Sequence, residues 1–361
     1  MFFSIIRKID WLLVVIVLTL LAFSLLNIYS VTAEDQGTEK VLRQLVWIGI
    51  GLVILISMTM ADYHTLSAFA YPFYFLILVA LITVLAIGPV VSGSQRWIRL
   101  GGFSIQPSEF AKLAMILVLA RYFSNKKRGT ISFIDVIITG ILLCIPLALI
   151  LKQPDLGTAL VLLPIYAAIL FIMGLDWKYF VIAGILGVCA MPLMWQHLKP
   201  YQKNRIISFI NPNADPLGSG YHVIQSEIAI GSGGFWGKGY MRGSQTRLNF
   251  IPEQFTDFIF SVVGEEWGFV GTIGLLILYF TLIYRGLYIA SKARDRLGAL
   301  IAIGVIAMLI MHVTVNIGMC IGIMPVTGVP LPFMSYGGSA ILSNLAGIGL
   351  LLNIQIRRFM F

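Results

Sequence analysis

Charged side chains are scarce in this sequence. Asp, Glu, Lys and Arg together make up 11% of the 361 residues, whereas hydrophobic residues make up 58%. A soluble domain has about 25% charged and about 45–50% apolar residues, and one hydrophobic core stops growing near about 250–300 residues. The composition therefore excludes a soluble enzyme, a disordered chain and a nucleic-acid-binding domain, and it predicts a polytopic membrane protein.

Cysteine is also rare, with three residues in the whole chain. Cys144, Cys189 and Cys320 each lie alone in an apolar run, so they form neither a disulfide framework nor the spacing of a metal site. The net charge of +9 does not indicate nucleic acid as a partner. The basic residues cluster where cytoplasmic loops beside anionic lipid headgroups are expected.

Long apolar runs are what the sequence has in abundance, and each is close to the ~20 residues that cross a bilayer as a helix. They fall at 11–30, 43–61, 68–90, 107–123, 133–151, 156–174, 179–195, 257–284, 297–321 and 336–356. We therefore predict an all-α polytopic membrane protein with about ten transmembrane helices. It is expected to form one transmembrane domain over residues 1–361, with a large external loop at about 196–256 between helices 7 and 8.

Lysine and arginine fall unevenly on the two sides of this predicted bundle. One side holds Arg7, Lys8, Arg121, Lys126, Lys127, Arg128, Lys178, Arg285, Lys292, Arg294, Arg296, Arg357 and Arg358. The short loops of the other side hold only Lys40, Arg43, Arg96, Arg99 and Lys152. Since cytoplasmic loops carry the excess of basic residues, we expect both termini in the cytoplasm and the loop 196–256 outside.

Ionisable residues near the start of the fourth run are candidates for function, because such residues are costly in a membrane. Glu109 and Lys112 are spaced i, i+3 and so share one face of the helix that Pro107 is expected to begin. Two interpretations stay open. The side chains could neutralise each other as an ion pair, or Lys112 could face an anionic substrate in an external cavity.

Asp155 precedes the sixth run. It could cap the N-terminus of that helix, orient Lys112, or bind a divalent cation.

Ser335 lies in the segment 324–339, which is rich in proline and glycine. Irregular backbone at membrane depth is tolerated only where it is buried in protein or lines a cavity, so Ser335 and the following backbone N–H groups could bind a ligand.

Asp257 lies where the external loop meets the eighth run, and the apolar residues 258–260 follow it. A carboxylate walled by such side chains is desolvated, which raises its pKa toward that of a general base. The alternative is a helix cap. Glu265 and Glu266 are expected to be structural or paired, and His312 to be a hydrogen-bonded packing residue.

The external loop contains glycines, at 215–222 and 231–234, that could cradle a phosphate. Residues 237–239 have the sequence Gly-Lys-Gly but lack the glycine spacing and the Ser or Thr of a P-loop, so we expect no nucleotide. Trp97, beside Arg96, could stack on a sugar ring or anchor the membrane interface.

Five motifs, in order along the chain, resemble the SEDS family (shape, elongation, division and sporulation). They are Gln-Pro-Ser-Glu-Phe-Ala-Lys at 106–112, Lys-Gln-Pro-Asp-Leu-Gly-Thr at 152–158, Tyr-His-Val-Ile-Gln-Ser at 221–226, Pro-Glu-x-x-Thr-Asp-Phe-Ile-Phe at 252–260 and Ser-Tyr-Gly-Gly-Ser at 335–339. Residues 237–245 and 327–332 resemble the elongation member more than the division member. Ser104 stands where some relatives have a basic residue, and Arg99 could supply that charge.

The resemblance implies a peptidoglycan glycosyltransferase of the bacterial inner membrane that polymerises lipid II on the external face. It implies a class B penicillin-binding protein and other elongation-complex proteins as partners. It also implies that Asp257 is the essential acidic residue, with Lys112, Asp155 and Gln225 lining its cavity.

From these residues we expect Asp257 to act as the general base and undecaprenyl pyrophosphate to leave. Its charge would be met by Lys112 and by Arg96, Arg205 or Lys238, and Mg²⁺ or Mn²⁺ near one of the aspartates could share this work. Glu109, Trp97, Gln225 and Ser335 complete the expected substrate site. The alternative is a lipid II flippase, which would need polar groups along a path to the cytoplasmic side.

Overall fold

The computed structural model describes residues 8–33, 37–89, 95–100, 103–197, 200–211, 218–248 and 250–358. Over these ranges the chain is mainly helical. The helices are α1 (Trp11–Thr32), α2 (Gly37–Met60), α3 (Tyr63–Ala68), α4 (Ala70–Ile87), α5 (Pro107–Ser124), α6 (Phe133–Lys152), α7 (Leu156–Ile172), α8 (Trp177–His197), α9 (Pro200–Ile210), α10 (Ser219–Ser232), α11 (Ser244–Arg247), α12 (Ile259–Ser291), α13 (Arg296–Cys320) and α14 (Gly338–Arg357). The strands are β1 (Ile98–Leu100) and β2 (Phe103–Ile105).

Seven helices of the described ranges are long and apolar enough to cross a membrane, namely α1, α2, α4, α6, α12, α13 and α14. The helices α7 and α8 are apolar but have shorter apolar stretches, and α5 carries Glu109, Lys112 and Arg121. Each apolar run that the sequence predicted overlaps a different long helix, and the run 68–90 also includes the last residue of α3, which confirms a helical membrane fold. The count of about ten crossings stays a prediction.

The core of the bundle is built around α5 and α14, whose residues are almost all buried. The helix α14 packs against α2. Gly349 allows this close approach, because a β-carbon there would lie 2.8 Å from the carbonyl oxygen of Leu55. Small residues serve this purpose in membranes, where tight van der Waals packing holds helices together without a hydrophobic driving force.

A β-hairpin before α5 shows that the all-α prediction was too simple. Its strands pair antiparallel and place Arg99 directly opposite Ser104. That pairing gives Arg99 the position from which it could replace a basic residue at 104, as the sequence suggested. Each strand is three residues long, which is too short for hydrophobic periodicity to distinguish it from a loop.

The predicted loop 196–256 is largely helical where the structure describes it, because it contains α9, α10 and α11. The helix α10 packs against α12, and the hydroxyl oxygens of Ser226 and Ser261 lie 2.6 Å apart at this contact. Residues 215–217 of the predicted glycine-containing segment lie outside the described residues. We call α9, α10, α11 and the segment 233–239 the cap.

The helix α12 is broken at Gly268, whose φ of 64° and ψ of −158° are not helical. At the break, backbone N–H and C=O groups of α12 lack partners within the helix, and the segment 233–239 of the cap forms hydrogen bonds with them. Lys238 N–H donates to the carbonyl oxygen of Glu265 at 3.0 Å, and Phe269 N–H donates to a carbonyl oxygen of the same segment at 2.9 Å. Gly233 and Gly237 therefore serve close approach to α12, since a β-carbon there would lie 2.0 and 2.2 Å, respectively, from a carbonyl oxygen of that helix. Phosphate binding by the glycines of the loop stays a prediction.

Gly237→Ala should destabilise the protein more than Gly239→Ala. Both glycines have positive φ, 81° and 98°, so each substitution should cost about 1–2 kcal/mol for the backbone conformation. A β-carbon at 237 would also lie 2.2 Å from the carbonyl oxygen of Glu266, whereas at 239 it meets only the flexible side chain of Arg242 at 3.4 Å. Unfolding temperatures in detergent test this, and equal losses would mean that the segment moves freely relative to α12.

Candidate active site

Four segments meet at one end of the bundle and bring together residues that are far apart in the sequence. They are residues 95–97 before β1, 153–155 before α7, 253–258 before α12 and 324–336 between α13 and α14. These irregular segments contain five of the ten candidate residues predicted from the sequence, namely Arg96, Trp97, Asp155, Asp257 and Ser335.

Asp257 lies in the turn before α12 and is half-buried. Burial, together with the carboxylate of Glu253, raises its pKa from 3.8 to about 6, although the guanidinium groups of Arg205 and Arg96 oppose the rise. The N-cap residue of α12 is Phe258, so the capping alternative for Asp257 is wrong. A carboxylate with this pKa is ionised at neutral pH and can accept a proton.

Asp155 joins the starts of α5 and α7. Its Oδ1 accepts a hydrogen bond from Thr158 N–H at 3.3 Å, which confirms the predicted helix cap. Its Oδ2 accepts from Gln106 Nε2 at 2.9 Å and from Ser108 Oγ at 3.0 Å. Donors of the protein thus surround the carboxylate, and its described contacts do not include Lys112.

Arg96 is fastened to the turn before α7. Its Nε donates to the carbonyl oxygen of Gln153 at 3.3 Å, its Nη2 donates to that of Pro154, and its Nη1 lies 3.7 Å from Asp155 Oδ1. These contacts fix the guanidinium group where its charge acts on Asp257.

Arg205 brings a second positive charge from α9. Its Nη1 donates to the carbonyl oxygen of Thr327 at 3.5 Å. The next residue, Gly328, lies against the candidate base, since a β-carbon there would be 3.2 Å from Asp257 Oδ2. The structure therefore places Arg96, Arg205 and Asp257 around one site.

Lys112 is fully buried on α5. Its Nζ lies 2.8 Å from Glu109 Oε2 and 2.8 Å from His312 Nε2. An ammonium group only donates, so His312 accepts through Nε2, and its Nδ1–H donates to the carbonyl oxygen of Met308 at 2.7 Å. The ion pair and the packing role of His312 are confirmed, whereas contact of Lys112 or Glu109 with a substrate stays a prediction.

Lys238 belongs to the cap and pairs with the fully buried Glu265. The Nζ–Oε1 distance is 2.7 Å, and the carboxylate also accepts from the backbone N–H groups of Gln245 and Thr246 at 2.9 and 3.0 Å. Glu265 is paired as predicted. Contact of Lys238 with a pyrophosphate stays a prediction.

Ser335 fastens the loop before α14 to the turn that carries Asp257. Its hydroxyl donates to the carbonyl oxygen of Thr256 and accepts from Leu331 N–H at 2.8 Å. Gln225 is half-buried on α10. Substrate binding by either residue stays a prediction.

Trp97 lines a cavity of about 590 Å³ beside the turn before Asp257. The other walls are formed by Glu39, Leu42, Arg43, Val46, Trp47, Ser104, Phe255, Thr256, Tyr336, Gly337 and Gly338. This volume is in the range of ligand pockets, about 300–1,000 Å³, and its flat aromatic side chains could pack on a sugar ring.

Sequence reasoning missed Asn316 and Glu253 as parts of the site. Asn316 is a polar residue within an apolar run, which is a signal that could have identified it. Over the described ranges, no group of three or more His, Cys, Asp and Glu side chains is arranged to hold a metal ion.

The chain matches a family model described as cell cycle protein FtsW, RodA and SpoVE over residues 7–359. It is 42% identical over 349 residues to the peptidoglycan glycosyltransferase MrdB of Escherichia coli (strain K12), which covers 96% of this chain and 94% of that protein. It is 39% identical to the stage V sporulation protein E of Bacillus subtilis (strain 168), with 96% of each chain covered.

Two solved structures are similar over nearly the full length. One is a chain from work on structural coordination of polymerization and crosslinking by a peptidoglycan synthase complex. It has a TM-score of 0.85 and 37% identity, and covers 98% of this chain and 99% of that one. The other is the rod shape determining protein RodA of Thermus thermophilus, with a TM-score of 0.74, 33% identity and 98% of each chain covered.

Lys238→Met should destabilise the protein, because it leaves the buried Glu265 carboxylate without its cation. Breaking a buried ion pair costs about 3–5 kcal/mol, and we expect the lower end because Lys238 is partly exposed. Adding Glu265→Gln should restore part of the loss, because it removes the unpaired buried charge, although the amide oxygen can replace only one of the two carboxylate oxygens that accept from Gln245 N–H and Thr246 N–H. Unfolding temperatures of the single and double variants would refute this if they were equal.

Proposed function

The chain belongs to the FtsW, RodA and SpoVE family of cell cycle proteins, and we propose that it is a peptidoglycan glycosyltransferase that polymerises lipid II. The names of its relatives support this class of reaction. The observation that carries the proposal is Asp257, a carboxylate of raised pKa on which the charges of two arginines act, in a turn whose residues Phe255 and Thr256 line a large cavity.

In the proposed reaction, Asp257 takes the proton from the 4-hydroxyl of the acceptor sugar. The hydroxyl oxygen forms a bond to the anomeric carbon of the growing strand, and the bond from that carbon to the pyrophosphate breaks with inversion. Undecaprenyl pyrophosphate then leaves with the bonding electron pair. Arg96 and Arg205 lie where they can stabilise the charge of the leaving group.

The arginines suit this role better than the two candidate lysines, because Lys112 and Lys238 lie 2.8 and 2.7 Å from the carboxylates of Glu109 and Glu265, whereas Arg96 Nη1 lies 3.7 Å from Asp155 Oδ1. A Mg²⁺ or Mn²⁺ ion fits the site only with most of its ligands from the substrate. Mg²⁺ is often bound by one or two carboxylates together with substrate phosphates, and Asp257 or Asp155 would supply such a carboxylate. The steps assigned to protein residues do not depend on it.

The arrangement in the membrane follows from charge. The basic loops at 124–128, 292–296 and 357–358 lie at the helix ends opposite Asp257, so the proposal places Asp257 on the external face of a bacterial inner membrane, with both termini in the cytoplasm. The similar chain from work on polymerization and crosslinking by a peptidoglycan synthase complex supports a crosslinking partner, and the proposal assigns that role to a class B penicillin-binding protein. A role in elongation, with other elongation-complex proteins, is the finer part of the proposal.

Asp257→Asn should abolish polymerisation while the protein still folds, because the amide cannot take the proton. A general base contributes about 10²–10⁴-fold in rate. The measurement is gel analysis of labelled lipid II incubated with purified protein, alone and with its penicillin-binding protein. Glu227→Gln, the same change at an exposed position on α10, is the matched control.

Normal polymer from the Asp257→Asn variant would contradict the assignment of the base. Labelled lipid II that crosses a vesicle membrane without lengthening, with wild-type protein, would instead support the flippase.

The pH dependence of polymerisation should report the charges around Asp257. Activity requires the ionised base, so it should fall as the pH drops through about 6. Glu253→Gln removes a negative neighbour and lowers the pKa of Asp257. It should therefore move the acidic limb of the pH–activity profile to lower pH. Arg205→Gln should raise that pKa and move the limb to higher pH. Limbs that coincide in both variants and wild type would show that another group limits the rate.

A further inference from the structure

Asn316 lies near the end of α13, and its side chain is fully buried. Its Nδ2 donates two hydrogen bonds of 2.8 Å, one to the carbonyl oxygen of Asp257 and one to that of Val329. An amide nitrogen has two N–H donors, so both are used. Asn316 therefore bonds the turn before α12 to the loop between α13 and α14.

The loop 327–329 that Asn316 holds is the backbone that faces the candidate base. Gly328 has a φ of 74°, and a β-carbon there would lie 3.2 Å from Asp257 Oδ2. On another side of this loop, a β-carbon at Gly157 would lie 2.8 Å from the carbonyl oxygen of Thr327. The loop is therefore enclosed between α7 and the carboxylate.

We propose that Asn316 is a positioning residue for Asp257. By bonding two carbonyl groups, it fixes the carboxylate against the loop 327–329 and so holds it at the acceptor hydroxyl. The inference rests on the proposed function for its chemical meaning. Asn316 itself exchanges no proton and acts through the backbone alone.

Four charged groups act on the carboxylate of Asp257, namely Glu253 on its own turn, Arg205 on α9, Arg96 before β1 and Asp155 before α7. The thiol of Cys320 at the end of α13 contacts the backbone of Asp257 instead. The thiol lies 3.8 Å from the Asp257 carbonyl oxygen and is a weak donor, so the amide of Asn316 provides the stronger bond. Without it the turn can separate from the loop, and more water can reach the half-buried Asp257.

The chain offers a matched control in Asn353 on α14. Its side chain is also fully buried, and its Nδ2 also donates to two backbone carbonyl groups, of Met58 at 2.6 Å and of Ala61. These bonds lie at the opposite end of the bundle. Asn353→Leu therefore removes the same kind of contact as Asn316→Leu, at a distance from the site.

The experiment compares polymerisation of lipid II by wild type, Asn316→Leu and Asn353→Leu across pH. Asn316→Leu should lower kcat at least tenfold relative to Asn353→Leu, with KM changed less than threefold. Its acidic limb should move to lower pH, because a more hydrated carboxylate has a lower pKa. Equal losses of kcat in the two variants would overturn the proposal.

Hydrogen exchange of the same purified proteins gives a readout that does not need activity. Peptides covering 253–260 and 325–332 should exchange faster in Asn316→Leu and at the wild-type rate in Asn353→Leu. Unchanged exchange in Asn316→Leu would overturn the positioning role. If wild type made no polymer, the proposed function would fail, while hydrogen exchange would still decide whether Asn316 holds Asp257 in place.

Discussion

Within a membrane, every backbone N–H and C=O group must find its hydrogen-bond partner inside the protein. Helices meet this requirement alone, but the candidate site is built from irregular segments that cannot. Side chains supply the missing donors. The guanidinium of Arg96, the amide of Asn316 and the hydroxyl of Ser335 all donate to carbonyl oxygens of these segments. The residues that shape the site are therefore largely residues that satisfy its backbone.

The same constraint distinguishes carboxylates that are paired with a lysine in the core from the carboxylate of Asp257. Glu109 and Glu265 are each paired with a lysine at less than 3 Å, which makes them neutral parts of the core. Asp257 is different. Its charged neighbours are near enough to change the pKa of its carboxyl group. The hydrogen bond from Asn316 goes to its backbone carbonyl oxygen rather than to its carboxylate. A carboxylate that is not paired with a lysine in the core is available to accept a proton.

The helical architecture could be predicted from the sequence because long apolar runs have few alternatives in a membrane. Asp257 could be singled out as well, since an aspartate before an apolar run is conspicuous in a chain of low charge. The hairpin and the partners of Lys238 could not be predicted from the sequence, because both depend on contacts between segments that are distant in sequence. Lys238 lies in a glycine-rich loop that looks suited to phosphate, yet it binds a carboxylate on α12. The role of Asn316 likewise depends on where the loop 327–329 returns to the bundle.

The break at Gly268 divides α12 into two helical segments with different neighbours. The part after the break is anchored in the bundle, by Tyr279 to the carbonyl oxygen of Pro332 and by Arg285 to Asp10. The part before it, residues 259–267, shares hydrogen bonds with the cap. It is about 14 Å long at 1.5 Å per residue and begins two residues after Asp257. The hydrogen bonds of the cap therefore reach the short segment of α12 that adjoins Asp257, whereas the bonds of Tyr279 and Arg285 hold the longer segment to the bundle.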